Sequence, residues 1–353
     1  MPTACVIQPD SRIHLESERL RVVARDPETG KDTPLREIPI RDLDRLILAE
    51  SVQLSSGALA ALLRAEIPVN LLGWNGQFLG AFHPASNAHG QARLRQYQRT
   101  LDGAFALDLS RRILTAKLYN QRRVLQRLAA SRKEADPDHS DASPRCDAAV
   151  LVETQAALNW LDSFFAAIKI GRTIDELRGH EGASTARYFQ AWAAFLPAEF
   201  PFERRSTRPP LNPVNACISF GATLLYSEIV AFLHAHGLDP ALGLLHATEN
   251  GRWSLALDLV EPFRPVLVEA LALDLFSHQI INPIHFEPRN GGVYLNEAGR
   301  RKFFLQYERR MERQFLSEAV GHRTTLRQQL EQQVVLYKAT LEDPARYEPF
   351  LIN

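Results

Sequence analysis

Cysteine is scarce in this chain. Cys5, Cys146 and Cys217 are the only three, far apart and odd in number. Such a set argues against a thiolate metal site and fits a reducing compartment. Net charge is also missing: 41 basic and 41 acidic side chains cancel, so any nucleic-acid surface has to be local. No apolar run is expected to approach the roughly 20 residues that span a bilayer. The opening "MPTACVIQPDSR" has no basic segment leading into an apolar one. The expectation is a cytoplasmic protein without a membrane partner. No repeat recurs at periods of about 20–50 residues. Phosphate-cradling glycine loops, nucleophile elbows and dinucleotide fingerprints are all lacking, which disfavours ATPase, hydrolase-triad and Rossmann chemistry. "HEGAS" at 180–184 begins like a zinc-protease helix, but Ser184 stands where the second histidine is required.

What is present divides in two by pattern. Apolar content is 45% and charged content 23%, as in a globular chain with a sizeable core. Residues 1–88 read as short strands: "ACVIQPD", "RIHLESERLRVVARD", "LREIPI" and "DLDRLILAE". One short helix, "SSGALAALLRAEI", starts at a serine. Asn75-Gly76 between apolar runs signals a hairpin, because both residues tolerate positive φ. Beyond "HPASNAHG" the period becomes helical, with a polar loop at 131–147 and a long helix ending at Gly237, a plausible C′ residue. The expected fold is α+β: a β-rich, sandwich-like domain over 1–88, then an all-helical domain over 89–353. Helices are expected around 262–280 and 296–342.

Three residues near the middle could carry chemistry. His246 ends an apolar run, and Asp258 and Glu261 interrupt "SLALDLVEPFRP". On a helix the two acids share a face and raise one another's pKa unless a cation lies between them. Two carboxylates with an imidazole suit Mg²⁺ or Mn²⁺. The same spacing also fits a plain helix start, where acids and Pro262 are favourable. Spacing alone leaves both readings open. Glu181, at the apparent start of another helix, has the same ambiguity. Residues 93–133 hold eleven basic residues against Asp102 and Asp108, a local excess of nine. On a helix over 107–128, Leu109, Ile113, Leu114, Leu118, Val124, Leu125 and Leu128 fall on one side. Arg111, Arg112, Arg122, Arg123 and Arg127 fall on the other. No acid lies between Asp108 and Glu134, so these arginines are expected to be unpaired, outward and free for phosphates.

Several stretches together resemble one family. "EGASTARYFQAWAAFLP", "RPPLNPVNACISFGATLLYSEIVAFLHAHGLDPALGLLH" and "GRWSLALDLVEPFRP" look like blocks of the CRISPR-associated adaptation integrases (the Cas-one family). "LILAESVQLSSGALAALLRAEIPVNLLGWNGQFLGAF" extends the likeness into the N-terminal half. The resemblance implies a metal-dependent DNA endonuclease and integrase, whose β-rich domain makes a homodimer and whose helical domain holds the active site. It places the family's metal-binding glutamate, histidine and final acid on Glu181, His246 and Glu261, with a neighbouring acid on Asp258. Arg264, Arg187 and Tyr188 fall close enough in sequence to line the same cleft and meet DNA. The implied partners are DNA, both an incoming fragment and the CRISPR repeat, and a small second adaptation subunit. Asn212 departs from the family, standing where aspartate is frequent, and Trp253 where a small residue or proline is more usual.

Overall fold

The computed structural model describes residues 3–26, 30–134, 148–317 and 321–352. Two compact units emerge: Met1–Leu94 with Tyr226–Asp239, and Arg95–Leu225 with Pro240–Asn353. The sequence reading placed everything after 88 in one helical domain. Residues 226–239, largely apolar and helical, cluster with the strands of the first unit.

In the first unit, β1 (Thr3–Val6), β5 (Arg45–Ala49), β7 (Val69–Leu72) and β8 (Phe78–Phe82) form one sheet in that order. The second sheet runs β4 (Asp32–Pro39), β3 (Arg19–Arg25), β2 (Ser11–Glu16) and β6 (Gln53–Leu54). Alternation builds the shared core: Leu20 and Val22 of β3 point in with Ile13 and Ile38, against Val6, Leu46, Leu48 and Val69 of the other sheet. A bulge between Val22 and Val23 breaks the two-residue period, so both valines are buried. Helix α1 (Ser56–Arg64) starts where the Ser55 hydroxyl accepts from the Ala58 amide, and buries Ala58 and Leu62. The β7–β8 turn is the one expected at Asn75-Gly76, with one difference. Only Gly76 has positive φ (78°), while the Asn75 side chain accepts from Gln77 N at 3.1 Å. Arg45 is buried against Glu228 at 3.4 Å and over the Phe232 ring at 4.1 Å, anchoring 226–239 to the sheet.

The second unit is mostly helical. Its helices are α2 (Gly90–Thr100, shared at its start with the first unit), α3 (Gly103–Glu134), α4 (Ala148–Ile170), α5 (Ile174–Ala193), α6 (Pro213–Ala235, which from Tyr226 onward belongs to the first unit), α7 (Ser254–Val260), α8 (Ala270–Ser277), α9 (Glu297–Glu312) and α10 (Leu326–Thr340). A π-helical turn, Arg264–Glu269, leads into α8. Two hairpins correct the all-helical expectation: β9 (Phe286–Arg289) with β10 (Gly292–Leu295), and β11 (Phe315–Ser317) with β12 (His322–Thr324). The second of these separates α9 from α10, the two helices found over the stretch read at 296–342. Cys146 and most of the loop read at 131–147 lie outside the described residues, and α3 runs on to Glu134.

Helix α6 corrects another expectation. Its 23 residues are long and apolar enough to cross a membrane, with a mean hydropathy of 1.7, and 72% of that apolar window is buried. Asn212 caps it by accepting from Asn215 N at 2.8 Å, so asparagine replaces aspartate without losing the cap. Gly237, at φ 73°, ends it as read, with Leu238 N donating back to Leu233 O.

Candidate active site

Asp258 organises the first part of the site. It projects from α7, has no solvent exposure, and gathers the preceding loop around itself. Its Oδ2 accepts from Leu244 N at 2.6 Å and Leu245 N at 3.1 Å. Its Oδ1 accepts from His246 N at 2.9 Å and lies 2.7 Å from His246 Nδ1. A carboxylate can only accept, so Nδ1 carries a proton towards Asp258 and Nε2 points away from it. The imidazole is therefore held in one tautomer and one orientation, with 27% of the side chain exposed.

Two further acids meet a common cation. Glu181 sits mid-way along α5, not at a helix start as its sequence suggested, because Thr173 is the N-cap. Its Oε1 accepts from the Thr185 hydroxyl at 3.0 Å, and Gln121 in turn donates to that hydroxyl at 3.3 Å. Glu261 caps α7 and is buried. Lys117 of α3 reaches both: its ammonium contacts Glu181 Oε1 and lies 2.5 Å from Glu261 Oε2. Arg264 takes the other oxygen of Glu261 at 3.1 Å. Burial alone would push the Glu261 pKa up, but the Lys117 and Arg264 charges, with His246 behind them, bring it down to about 2. Burial would likewise lower the Lys117 pKa, yet the two carboxylates leave it raised, so the ammonium is charged at neutral pH.

Behind this set lies a third buried acid. Glu269 has its pKa raised by burial, against the pull of Arg264 and Lys117. Asn120 of α3 clamps the turn that carries Glu261: its amide donates to Pro262 O at 2.7 Å and Phe350 O at 2.9 Å, while its oxygen accepts from Ile352 N at 2.9 Å. All three acceptors and donors are matched, which fixes α3, the end of α7 and the C-terminal segment to one another.

Glu181 and Glu261 thus meet through Lys117, and Asp258 and His246 pair directly. Among the described residues, no group of three or more His, Cys, Asp or Glu is close enough to hold a metal as the side chains stand. Lys117 was counted in the sequence only as one positive charge of a basic run. Its signal was visible: it lies four residues after Ile113, inside the apolar stripe of α3, where an unpaired lysine is costly. Asn120 interrupts the same stripe one turn later.

The expected arginine face is corrected. The leucine side of α3 is largely buried as read, with Leu109, Ile113, Leu114, Leu118, Val124 and Leu125 in the core and Leu128 half-buried. The arginines, however, are not unpaired. Arg111 donates twice to Gly171 O, at 2.6 and 3.1 Å. Arg112 donates to Pro344 O at 3.1 Å and pairs with Asp108 at 2.7 Å. Arg122 pairs with Asp162 at 2.6 Å, and Arg123 donates to Gln126 at 3.2 Å. Arg187 pairs with Glu153. Counting acids along α3 missed partners supplied by neighbouring helices and by carbonyls at helix ends. Tyr188 is fully buried, its phenol pKa pushed up by burial and by Glu269, so it lies in the core and not on a DNA-facing surface. Arg127 keeps an exposed side chain.

The family model described as CRISPR associated protein Cas1 matches residues 4–309. The chain belongs to the Cas1 family. Curated Cas1 relatives span nearly the same length. A CRISPR-associated endonuclease Cas1 from Thermodesulfovibrio yellowstonii is 31% identical over 317 residues, covering 89% of this chain and 92% of that one. One from Thermus thermophilus is 32% identical over 317 residues, covering 89% and 90%. In fold, a Cas1 protein from Thermotoga maritima superposes with a TM-score of 0.72 at 22% identity, covering all of both chains. A casposase bound to its integration product gives 0.76 at 20% identity, covering 98% of this chain and 91% of that one. A partial Cas6-RT-Cas1–Cas2 complex gives 0.69 at 24%, covering 99% of each. The strand-then-helix order of this Cas1 family member matches theirs.

Proposed function

We propose that this chain is a metal-dependent DNA endonuclease and integrase of CRISPR adaptation, inserting new fragments into the repeat array. One observation carries the reading. Glu181 and Glu261 come from different helices, yet converge on one small cation, and Asp258 fixes the orientation of the His246 imidazole. That is a hard-donor set with one nitrogen, suited to Mg²⁺ or Mn²⁺, and Glu181, Glu261 and His246 Nε2 would hold the ion. A bound divalent ion would supply Lewis-acid polarisation of a phosphate oxygen. The relatives named as endonucleases, and the casposase neighbour bound to an integration product, support the cleaving and joining part of this reading.

In the reaction we propose, the 3′-hydroxyl oxygen of a DNA fragment bonds to a phosphorus of the repeat strand. The bond to the leaving 3′-oxygen of that strand breaks, and the proton given up by the attacking hydroxyl is balanced by one taken up at the leaving oxygen, which ends as a 3′-hydroxyl. Water as the attacking group gives hydrolysis instead. Asp258 keeps the His246 ring oriented, so that Nε2 can ligate or take a proton. Arg264 neutralises Glu261 and stays close to where phosphate charge gathers. Arg122, Arg123 and Arg127 keep solvent-facing surface and are the phosphate-binding residues we propose on α3. Homodimerisation through the first unit is supported by Trp74, Leu79 and Phe82, exposed on and beside the edge strand β8. The small second subunit, a Cas2 as in the neighbouring complex, belongs to the same proposal.

The test is a joining assay with Mn²⁺, a repeat-bearing plasmid and a short duplex donor. A donor ending in a 3′-hydroxyl is expected to join, and a 3′-deoxy donor is not. Glu181→Ala, His246→Ala and Glu261→Ala are each expected to abolish joining and cleavage. Wild-type joining by the Glu261→Ala protein would overturn the site. Cleavage of branched DNA without joining on any repeat would favour a nuclease that does not integrate.

A further inference from the structure

Lys117 occupies the place between Glu181 and Glu261 where the metal of that reading would be held. It arrives from α3, a third element, and its side chain is only 3% exposed. Within ion-pair distance, Glu181 meets only Lys117 among the described residues, while Glu261 has Arg264 as well, whose charge also reaches Glu181. Two carboxylates brought together from α5 and the end of α7 repel one another unless a positive charge lies between them. A lysine is unusual in this position, because an ammonium needs several hydrogen-bond acceptors to offset its burial. Here Glu181 accepts a hydrogen bond from the ammonium and Glu261 supplies the second opposing charge.

We propose that Lys117 is a built-in cation that holds Glu181 and Glu261 together in the metal-free protein and is displaced when a divalent ion binds. The inference rests on the metal-dependent reading above and adds a competitor within the site. An ammonium carries one charge on a flexible four-carbon stem, so it can withdraw without moving the backbone. A divalent ion carries two charges and takes the same oxygens, and the two cations repel at such range. Lys117 therefore weakens metal affinity while it preserves the metal-free fold. Once displaced it stays tethered to α3, close enough to pair with a phosphate oxygen arriving with DNA.

The experiment uses the full chain, Mn²⁺ titration calorimetry at neutral pH, and thermal unfolding in chelator and in saturating Mn²⁺. Lys117→Met keeps the stem and removes the charge. It is expected to bind Mn²⁺ at least about tenfold tighter than wild type. It is also expected to melt lower than wild type in chelator and to close that gap in Mn²⁺, since ligand binding stabilises the folded state. Lys117→Arg keeps the charge and is expected to melt like wild type in chelator while binding Mn²⁺ no tighter. It carries the comparison if Lys117→Met folds only with metal, a result that itself meets the expectation. Unchanged or weaker Mn²⁺ binding by Lys117→Met overturns the proposal, because Lys117 is then no competitor. A melting gap that Mn²⁺ does not close overturns it as well, because Lys117 is then only packing. If wild-type protein takes up no Mn²⁺, the metal-dependent reading falls and takes the proposal with it, an outcome distinct from binding that the substitution leaves unchanged.

Discussion

Replacing Asp258 with asparagine keeps the shape of the side chain and changes one oxygen into a donor. The structure indicates what that one change costs. Oδ1 faces His246 N and Nδ1, and Oδ2 faces the amides of Leu244 and Leu245. If the asparagine oxygen stays on the histidine side, its NH₂ points at two backbone donors that no longer have an acceptor. If it flips, the conflict moves to His246. Leaving a buried donor unsatisfied costs about 1–3 kcal/mol, so two cost about 2–6 kcal/mol. For a unit of this size that lowers the melting temperature by roughly 5–20 °C. The His246 ring also loses the partner that fixed its tautomer, and loss of such a partner weakens metal affinity or activity by about 10–100-fold. Differential scanning calorimetry and Mn²⁺ titration on Asp258→Asn, with His246→Ala alongside, separate the two effects. His246→Ala removes the imidazole but keeps the three backbone bonds, so it is expected to melt within a few degrees of wild type while losing metal. Wild-type melting and wild-type Mn²⁺ affinity in the Asp258→Asn protein would refute the assignment of Asp258 as the anchor of this loop.

In metal-free protein, Glu261 has a folded pKa of about 2 against an ordinary 4.5, so its contribution to stability is present above about 4.5 and is lost as the pH falls towards 2. Glu261→Gln should flatten the acid limb of a denaturant-monitored stability profile, and an unchanged limb would count against the ion-pair geometry. Arg45→Met removes the charge that faces Glu228 in the core, and is expected to destabilise the first unit by about 3–5 kcal/mol in chemical denaturation. Adding Glu228→Leu should recover most of that, and no recovery would show that the pair is not what holds 226–239 to the sheet. Arg123→Glu with Arg127→Glu should weaken binding to duplex DNA of any sequence. It should also reduce the salt slope by about 0.9 for each phosphate that the protein no longer neutralises. Unchanged affinity and slope across salt would leave α3 a solvated helix face.

Local chemistry was legible where a few neighbouring residues decide the outcome. The β7–β8 turn followed from Gly76, the start of α1 from Ser55, and the end of α6 from Gly237, because φ preferences and side-chain caps act over three or four residues. The strand-rich and helix-rich halves followed from the change of hydrophobic period near residue 90. His246, Asp258 and Glu261 drew attention as polar residues inside an apolar run, and burial of Asp258 and Glu261 is the physical content of that pattern. Tertiary structure decided what each polar group meets. Whether Arg111 and Arg112 face solvent depends on carbonyls at Gly171 and Pro344, more than 50 residues away in sequence. The second half of α6 packs with strands from the other end of the chain because Arg45 supplies its Glu228 with a buried charge. Lys117 and Glu181 are 64 residues apart, and no periodicity within either helix announces the other. Burial and ion pairing depend on distances through space. A sequence fixes those distances only after the whole chain has packed.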